Sequence, residues 1–363
     1  MTKATFETAT LASAVSNANK IAPTKGSAFD KSNGIVLEIS PDESLAVVRA
    51  TDTEAFFSEW IDGELEGDPQ IWRVASQVFA GVCSSLPAGK GQTVTIEEQG
   101  VAIILKCGRT RSKFQKIPAH TYPTWPTFDP ETLQHVKSVG DTLNRVGWAA
   151  SKTPSEVPLN GIHLNGEWAI ATNRYRLARM PMEIPWLETP VTIPARTLSS
   201  LLMADGETAI GTDGSNFLMM PDDHSQVRSV TYAQEYPPTA KIQDIEYENQ
   251  ITFRKTLLID CITRAQNFAA QDRLAVLRLY FGREEIAVMM TNEEIGFLGD
   301  VVEVPGYANH DRVEIHFDPS NILDALNNAP NEEVTLGYTP EKPTAVLRVC
   351  SGEYSAWIAP RKA

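Results

Sequence analysis

The chain has 363 residues, of which 42% are hydrophobic, and 46 acidic against 32 basic side chains give a formal net charge of −14. The length favours two or three domains, and the hydrophobic content is ordinary for a soluble globular protein. The negative charge argues against non-specific binding of nucleic acid over the whole surface. An average can hide a basic inner surface, so the charge has to be counted segment by segment.

Several classes of protein are disfavoured by what the sequence lacks. No run of about 18 apolar residues occurs, so no membrane span is expected. The N-terminus does not have the basic-then-apolar order of a signal peptide. The cysteines form no CxxC pair, which argues against a disulfide framework or a zinc site; they are Cys83, Cys107, Cys261 and Cys350. We therefore expect a cytoplasmic protein without a metal or another cofactor.

A short motif recurs at intervals of one third of the chain. The copies are Ala50-Thr51-Asp52-Thr53, Ala171-Thr172-Asn173-Arg174 and Met290-Thr291-Asn292-Glu293, and their threonines are 121 and 119 residues apart. An apolar run precedes each copy. Because a fixed period is typical of repeat architectures, the chain is predicted to be one unit built three times.

Each repeat is predicted to contain two helices. The first has apolar residues at +4, +3 spacing, which places them on one helix face; they are Leu11, Val15, Ala18, then Val139, Leu143, Val146, then Leu258, Ile262, Ala265. The second is shorter and contains Val78, Phe79, Val82, then Leu198, Leu201, Leu202, then Ile322, Leu323, Leu326.

Apolar, β-branched runs between these helices predict strands. Asn165-Gly166 and Asp213-Gly214 are typical of tight hairpins. Helices and strands in this order, three times over, favour an α+β fold over a parallel α/β sheet. Proline-containing stretches at 118–130 and 236–247 predict linkers, which gives domains at 1–128, 129–246 and 247–363.

The segments that open the repeats are basic although the chain is acidic. Their formal charges are +1 for 6–25, +2 for 133–152 and +2 for 251–271, so the rest of the chain carries −19. If these helices share one surface, a basic strip lies on an acidic body. The alternative is a few solvated lysines on exposed helix faces.

The motifs resemble those of one family, the bacterial-type DNA polymerase sliding clamp, which is the β subunit of the replicative polymerase. Thr172-Asn173-Arg174-Tyr175-Arg176-Leu177-Ala178 is similar to its T-D-G-H-R-L-A, and Leu159-Asn160-Gly161 to its L-N-G. Ile193-Pro194-Ala195-Arg196 resembles V-P-A-R, and 117–123 and 317–326 resemble further family segments. The resemblance covers the whole chain.

The resemblance implies a non-enzymatic homodimeric ring of six similar clamp domains around duplex DNA. The ring would tether the replicative polymerase and other clients, and a clamp loader would place it on DNA. Family positions put Phe114 opposite Phe268 at the dimer interface. The basic side chains expected to face DNA are Lys20, Lys25, Arg73, Lys137, Arg145, Lys152, Arg196, Arg254 and Arg264.

The family's pocket for client peptides also maps onto this chain. Matching positions are Leu159, Thr172, Arg174, Tyr175, Arg176, Leu177, Pro237, Lys241, Ile242, Ile358, Ala359, Pro360 and Arg361. Arg174 stands where the family has glycine and Tyr175 where it has histidine, while Ala359 and Arg361 replace two methionines. Fewer flexible methionines imply a pocket that adapts less readily to varied clients. The alternative for 172–177 is a strand end that packs within its own domain.

Two other functions remain open from the sequence. A catalytic role is disfavoured because the HExxH, phosphate-loop and Gly-x-Ser-x-Gly patterns are all missing. A clamp-fold protein that binds partners without encircling DNA is the second alternative. The departures from the common family pattern are compatible with a clamp encoded by a mobile element.

Overall fold

The structure is a computed structural model that describes residues 2–23, 32–126, 133–195, 206–268, 276–292, 294–305, 307, 313–339 and 346–361. The chain forms two compact units, Met1–Gly140 with Thr197–Thr231, and Asp141–Arg196 with Tyr232–Ala363. Within the described part of the chain, no helix is long and apolar enough to cross a membrane.

In its described residues, the first unit contains the helices α1 (Thr8–Ile21) and α2 (Ser76–Ser84) and two antiparallel sheets. The first sheet has the order β5-β1-β7-β8-β9, with β1 Lys3–Glu7, β5 Gly63–Glu66, β7 Thr93–Gln99, β8 Ala102–Cys107 and β9 Thr110–Gln115. The second has the order β10-β15-β16-β17-β4-β3-β2-β6, with β2 Ile35–Ser40, β3 Leu45–Thr51, β4 Ala55–Trp60, β6 Gln70–Val74, β10 Gln134–Lys137, β15 Glu207–Thr212, β16 Asn216–Asp222 and β17 Ser225–Val230.

The second unit also contains helices and two antiparallel sheets, but its sheets have eight and four strands. Its helices include α4 (Ala240–Gln243), α5 (Lys255–Phe268) and α6 (Pro319–Asn328). Helix α3 (Val139–Gly147) belongs to this unit from Asp141 onward. An eight-stranded sheet has the order β14-β11-β12-β13-β25-β24-β23-β18, with β11 Gly161–Leu164, β12 Trp168–Thr172, β13 Arg176–Pro181, β14 Val191–Pro194, β18 Asn249–Arg254, β23 Glu333–Tyr338, β24 Leu347–Ser351 and β25 Tyr354–Ile358. A four-stranded sheet has the order β21-β20-β19-β22, with β19 Leu277–Gly282, β20 Glu285–Asn292, β21 Gly296–Glu303 and β22 Val313–Phe317.

The long helices bury the faces that their sequence pattern predicts. Leu11, Val15 and Ala18 of α1 are fully buried, as are the corresponding residues of α3 and α5. Burial of an aliphatic side chain contributes about 1.5–3 kcal/mol, so each helix is held by this stripe. In α2, Phe79 is buried, whereas Val78 is 63% exposed.

The helices are shorter than the sequence pattern suggests because a strand precedes each one. β1, β10 and β18 lie immediately before α1, α3 and α5. Lys137 and Arg254 are therefore the last residues of strands rather than helical residues. The second helix predicted around Leu198, Leu201 and Leu202 lies outside the described residues.

Candidate peptide-binding pocket

The Thr172 motif forms the turn between β12 and β13. The Thr172 hydroxyl donates to the Arg176 carbonyl (2.7 Å) and accepts from the Arg174 N–H (3.1 Å). The Asn173 side chain accepts from the N–H groups of Tyr175 and Arg176, both at 3.0 Å. These bonds satisfy the turn's backbone donors, which is why a hydroxyl residue followed by Asn or Asp is favoured there.

The same turn closes hairpins elsewhere in the chain. Thr51-Asp52 makes the matching set of hydrogen bonds, and so does Thr212-Asp213, while the Asn292 side chain accepts from Glu294 and Ile295. The repeated motif is thus first of all a turn, and the interpretation of Thr172 as a strand-end residue is correct. The turn also needs a left-handed residue: φ is 79° at Thr53, 76° at Arg174 and 85° at Gly214. Glycine adopts this conformation without strain, and arginine does not.

Arg176 ties the turn to neighbouring elements. One guanidinium nitrogen donates to Asn321 (3.1 Å) and to Asp324 (3.0 Å) of α6, and another to the Ala150 carbonyl (3.4 Å). The same group lies 5.1 Å from the centre of the Trp148 ring. Burial lowers the pKa of Arg176, and Asp324 opposes this shift. Arg176 therefore has a structural role inside the unit.

Leu177 is part of a buried cluster that the sequence does not predict. It is 2% exposed and packs with Ile170, Tyr236, Tyr247 and Trp357. Partly buried side chains cover this cluster, namely Trp168, Ile242, Ile245 and Val346. Of these, only Ile242 was predicted from the family pattern. Leu177 pairs with Trp357 across β13 and β25, and only knowledge of that strand pairing could have indicated the contact.

Arginines lie over the aromatic rings of this region. The Arg179 guanidinium is 4.3 Å from the Trp168 ring and 5.3 Å from the Trp357 ring, and it donates to Gln243 at 2.5 Å. Arg348 lies 4.6 Å from the Tyr247 ring. Burial lowers the pKa of Arg179 and raises that of Tyr247. Contacts between arginine and aromatic rings strengthen when water is excluded, so they hold the cluster rigid.

The structure brings some of the predicted pocket residues together, since Ile242 packs against the cluster that contains Leu177. The Ala359 N–H donates to the Tyr175 carbonyl at 2.8 Å, which joins the C-terminal segment to the turn. Five of the predicted residues are buried: Leu159, Thr172, Arg176, Leu177 and Ile358. The half-buried ones are Pro237, Ile242, Ala359, Pro360 and Arg361, and the exposed ones are Arg174, Tyr175 and Lys241. A peptide can meet only the latter two groups.

A polar cleft of about 400 Å³ lies beside the turn. It is lined by Ser151, Lys152, Thr153, Glu156, Asn173, Arg174, Tyr175 and Arg176. Lys152 and Arg174 are exposed, and Glu156 is the one acidic side chain among these described lining residues. Lys152 was predicted to face DNA, and here it shares a cleft with Arg174. The arrangement fits an acidic group next to an apolar surface.

One of the residues predicted to face DNA cannot do so. Arg73 is fully buried, and its guanidinium donates to the carbonyls of Asn33 (2.7 Å) and Pro118 (3.1 Å) and to the Thr121 hydroxyl (2.9 Å). It also lies 4.8 Å from the Tyr122 ring. The prediction for Arg73 was wrong because this charge holds the segment after β9 against β6.

The remaining residues that were predicted to face DNA differ in their exposure and in the contacts that they form. Lys20, Lys137, Lys152 and Arg254 are exposed, with Lys137 3.8 Å from Glu207. Arg145 is bound to Asp141 (2.7 Å) and the Asn328 carbonyl (3.0 Å), and Arg264 is paired with Asp300. Lys25 and Arg196 lie outside the described residues.

The predicted interface anchor Phe114 is also buried within its own unit. It is 8% exposed and meets Phe79 edge to face at 5.1 Å between ring centres. It therefore offers little apolar area of its own to a second copy of the chain, and its place at a dimer interface stays a prediction. Phe268 is half-buried at the last position of α5.

Comparison with known proteins identifies proteins that are similar to this chain in sequence and in fold. Residues 245–360 match the sequence profile of the C-terminal domain of the DNA polymerase III beta subunit. A beta sliding clamp of Staphylococcus epidermidis is 23% identical over 324 residues, covering 83% of this chain and 84% of the relative. That of Salmonella typhimurium is 22% identical over 311 residues, covering 80% and 81%.

Solved structures share the whole fold. The DNA polymerase III beta subunit of Thermotoga maritima has a TM-score of 0.87 at 17% identity and covers 100% of both chains. The DNA polymerase sliding clamp of Bacillus subtilis has a TM-score of 0.84 at 19% identity, covering 100% of this chain and 99% of the other. The C-terminal profile and the fold agree: residues 245–360 are similar to the C-terminal domain of the DNA polymerase III beta subunit, and the whole chain has the fold of bacterial beta sliding clamps.

Proposed function

We propose that the protein is a DNA sliding clamp. Two copies form a ring around duplex DNA in the cytoplasm, and each chain contributes three clamp domains, at 1–128, 129–246 and 247–363. The ring has no catalytic role. It tethers the replicative polymerase and other clients to DNA, and a clamp loader places it there. The proposal rests on one observation. Within each unit, the last strand of one repeat pairs with a strand of the repeat before it, whereas β9 and β21 are edge strands without such a partner among the described residues.

The junction has the same form in both units. In the first, β17 pairs with β4, and Arg228 lies opposite Phe56. In the second, β25 pairs with β13, and Trp357 lies opposite Leu177. In each case the last strand of one repeat is added to the third strand of the meander in the repeat before it. The outward-facing apolar residue is thereby covered, so that Phe56 is 8% and Leu177 2% exposed.

The third junction has no partner within the described part of the chain. β21 corresponds to β4 and β13, and β9 corresponds to β17 and β25; each is the edge strand of its sheet. Phe297 occupies the position of Phe56 and Leu177 but is 72% exposed, next to Ile295 at 60% and Val301 at 51%. An uncovered strand edge with exposed apolar side chains is a surface for adding another strand. We infer that β9 of a second copy covers it.

Both internal junctions predict the same register for this pairing. Transferred to β9, it places Ser112 opposite Leu298, Lys113 opposite Phe297 and Phe114 opposite Gly296. The faces agree: Ser112 lies across from buried Leu105, and Leu298 from buried Met290. A slip of one residue would reverse the faces. Lys113 would lie opposite Phe297 as Arg228 lies opposite Phe56, and the exposed Arg111 would lie opposite Gly299, next to Asp300.

Cysteine cross-linking tests the register. Ser112→Cys with Leu298→Cys should give a covalent dimer of twice the 39.9 kDa chain mass on oxidation, because directly paired residues have the Cα spacing that a disulfide needs. Ser112→Cys with Phe297→Cys is the matched control, since the two side chains would point to opposite faces. Light scattering of the unmodified protein should also give the dimer mass. A monomer at micromolar concentration, or equal cross-linking of both pairs, would contradict the proposal.

The charge distribution suits a ring that slides. A few exposed basic residues attract phosphates without fixing a register, whereas many tight contacts would stop movement along DNA. Lys20 and Arg254 form no ion pair with another described residue, and Lys137 is exposed although it lies 3.8 Å from Glu207; these three residues supply such charges. The acidic remainder of the chain would repel DNA from other faces.

The pocket around Leu177 is proposed to bind a short apolar client peptide with an acidic flank. The half-buried Pro237, Ile242 and Pro360 would receive the apolar anchor, and the cleft of Lys152 and Arg174 the acidic side chain. Buried anchors supply most of the affinity in such sites, while charges at the rim influence partner choice and association rate.

Calorimetric titration can separate these two contributions. A peptide with an acidic residue beside its anchor should bind more tightly than its neutral version. Arg174→Gly or Arg361→Met should reduce the difference. Leu177→Ala with Pro360→Ala should abolish binding of both peptides. Equal affinity for the two peptides would contradict the proposed role of the charges. Retained binding after the double substitution would contradict the proposed pocket.

A further inference from the structure

The second unit has another cleft, at the end of the β12–β13 hairpin away from Thr172. Its volume is about 660 Å³, which is in the range of ligand-binding clefts. It is lined by Asn165, Gly166, Glu167, Trp168, Pro181, Glu183, Ile184, Pro185, Leu187 and Glu353. None of these belongs to the pocket predicted from the family pattern, and the proposed ring does not use them.

The cleft is acidic and has no internal counter-charge. Glu167, Glu183 and Glu353 are exposed, and none of them forms an ion pair or side-chain hydrogen bond with another described residue. The lining contains no lysine or arginine. Three carboxylates around one concave surface create a negative potential that a cationic ligand would neutralise.

The walls between these carboxylates are apolar and held in place. Trp168 pairs with Pro181 across the hairpin, and Arg179 lies over the Trp168 ring. The Ile184 N–H donates to the Gly166 carbonyl at 2.7 Å, so the segment after β13 is fixed beside the hairpin loop. Ile184 and Leu187, which also line the cleft, are buried, with 1% and 8% of their surface exposed. A bare cation would gain nothing from this surface.

We propose that this cleft binds a short segment of a partner protein in which lysine or arginine residues flank an aliphatic side chain. The aliphatic group packs on Trp168 and the prolines, and the cationic groups pair with Glu167, Glu183 and Glu353. The site therefore selects the opposite charge to the cleft of Lys152 and Arg174. One protomer of the clamp then holds two peptides of different chemistry without competition between them.

Fluorescence anisotropy with a labelled peptide, Lys-Leu-Arg-Pro-Lys, acetylated and amidated, tests the proposal on the full-length protein. Saturable binding should weaken at least tenfold in the E167Q/E183Q/E353Q variant. The control E246Q/E248Q/E294Q removes equal charge from exposed positions of the same unit and should change the dissociation constant by less than twofold. All six side chains are exposed, so folding should be preserved.

Three further measurements define the site. Replacing leucine by serine in the peptide should weaken binding at least fivefold, and spermidine should compete poorly. A peptide that binds the Leu177 pocket should not displace the probe. Absence of saturable binding, equal loss in both Gln variants, tolerance of the serine peptide, strong competition by spermidine, or displacement by the pocket peptide would each overturn the proposal. Failure of ring formation in the cross-linking assay would leave these outcomes unchanged.

Discussion

Arg176→Met tests whether this buried arginine stabilises the folded protein. Methionine keeps much of the apolar stem and removes the guanidinium. The Arg176 side chain is 6% exposed, while its partner Asp324 is 38% exposed and can regain water. Two charge-assisted hydrogen bonds contribute about 1.5–3 kcal/mol each when buried, and the ring contact with Trp148 about 0.5–2. Allowing for the hydration of Asp324, we expect a loss of about 2–4 kcal/mol in the free energy of unfolding.

Urea denaturation followed by tryptophan fluorescence measures this loss. A double-mutant cycle with Asp324→Asn should give a coupling energy of about 1–2 kcal/mol, since the residues share a direct contact. Arg278→Met is the matched control: its pair with Glu314 is 4.0 Å long and about 40% exposed on both sides, so it should cost less than about 0.5 kcal/mol. A change of that small size for Arg176→Met, or additivity in the cycle, would refute the reasoning.

Arg174→Gly should raise the free energy of unfolding by about 0.5–1 kcal/mol, because relief of the left-handed conformation outweighs the added freedom of the unfolded chain, and Thr53→Gly should behave alike in thermal unfolding. Burial raises the pKa of the Cys83 thiol from 9.0 to about 12; its folded-state pKa is the higher one, so stability should fall as pH rises from 9 to 12, and Cys83→Ala should flatten that decline in urea titrations. Lys137→Glu with Arg254→Glu should shorten the retention of the loaded ring on closed circular DNA and increase its salt sensitivity, whereas unchanged retention would show that neither residue faces DNA.

Local features of this protein were well predicted by its sequence. The +4, +3 spacing of Leu11, Val15 and Ala18 identified the buried face of α1, because helical periodicity is a property of neighbouring residues. The recurrence of a Thr-Asx pair at a period of about 120 residues predicted three repeats, and in the structure this pair builds one kind of turn. Together with the family resemblance, these signals predicted the α+β clamp fold that the structure has.

Long-range placement was decided only by the tertiary structure. Arg73 was expected to face DNA, yet strand pairing puts it under the segment after β9, where backbone carbonyls satisfy its charge. Leu177 meets Trp357, 180 residues later, through the β13–β25 pairing. Phe114 faces inward on β9, and Phe297 faces outward on β21. Phe114 and Phe297 are the same type of residue, and each lies in a strand. Whether such a side chain is buried or exposed depends on which elements pack alongside its strand, and local sequence does not contain that information.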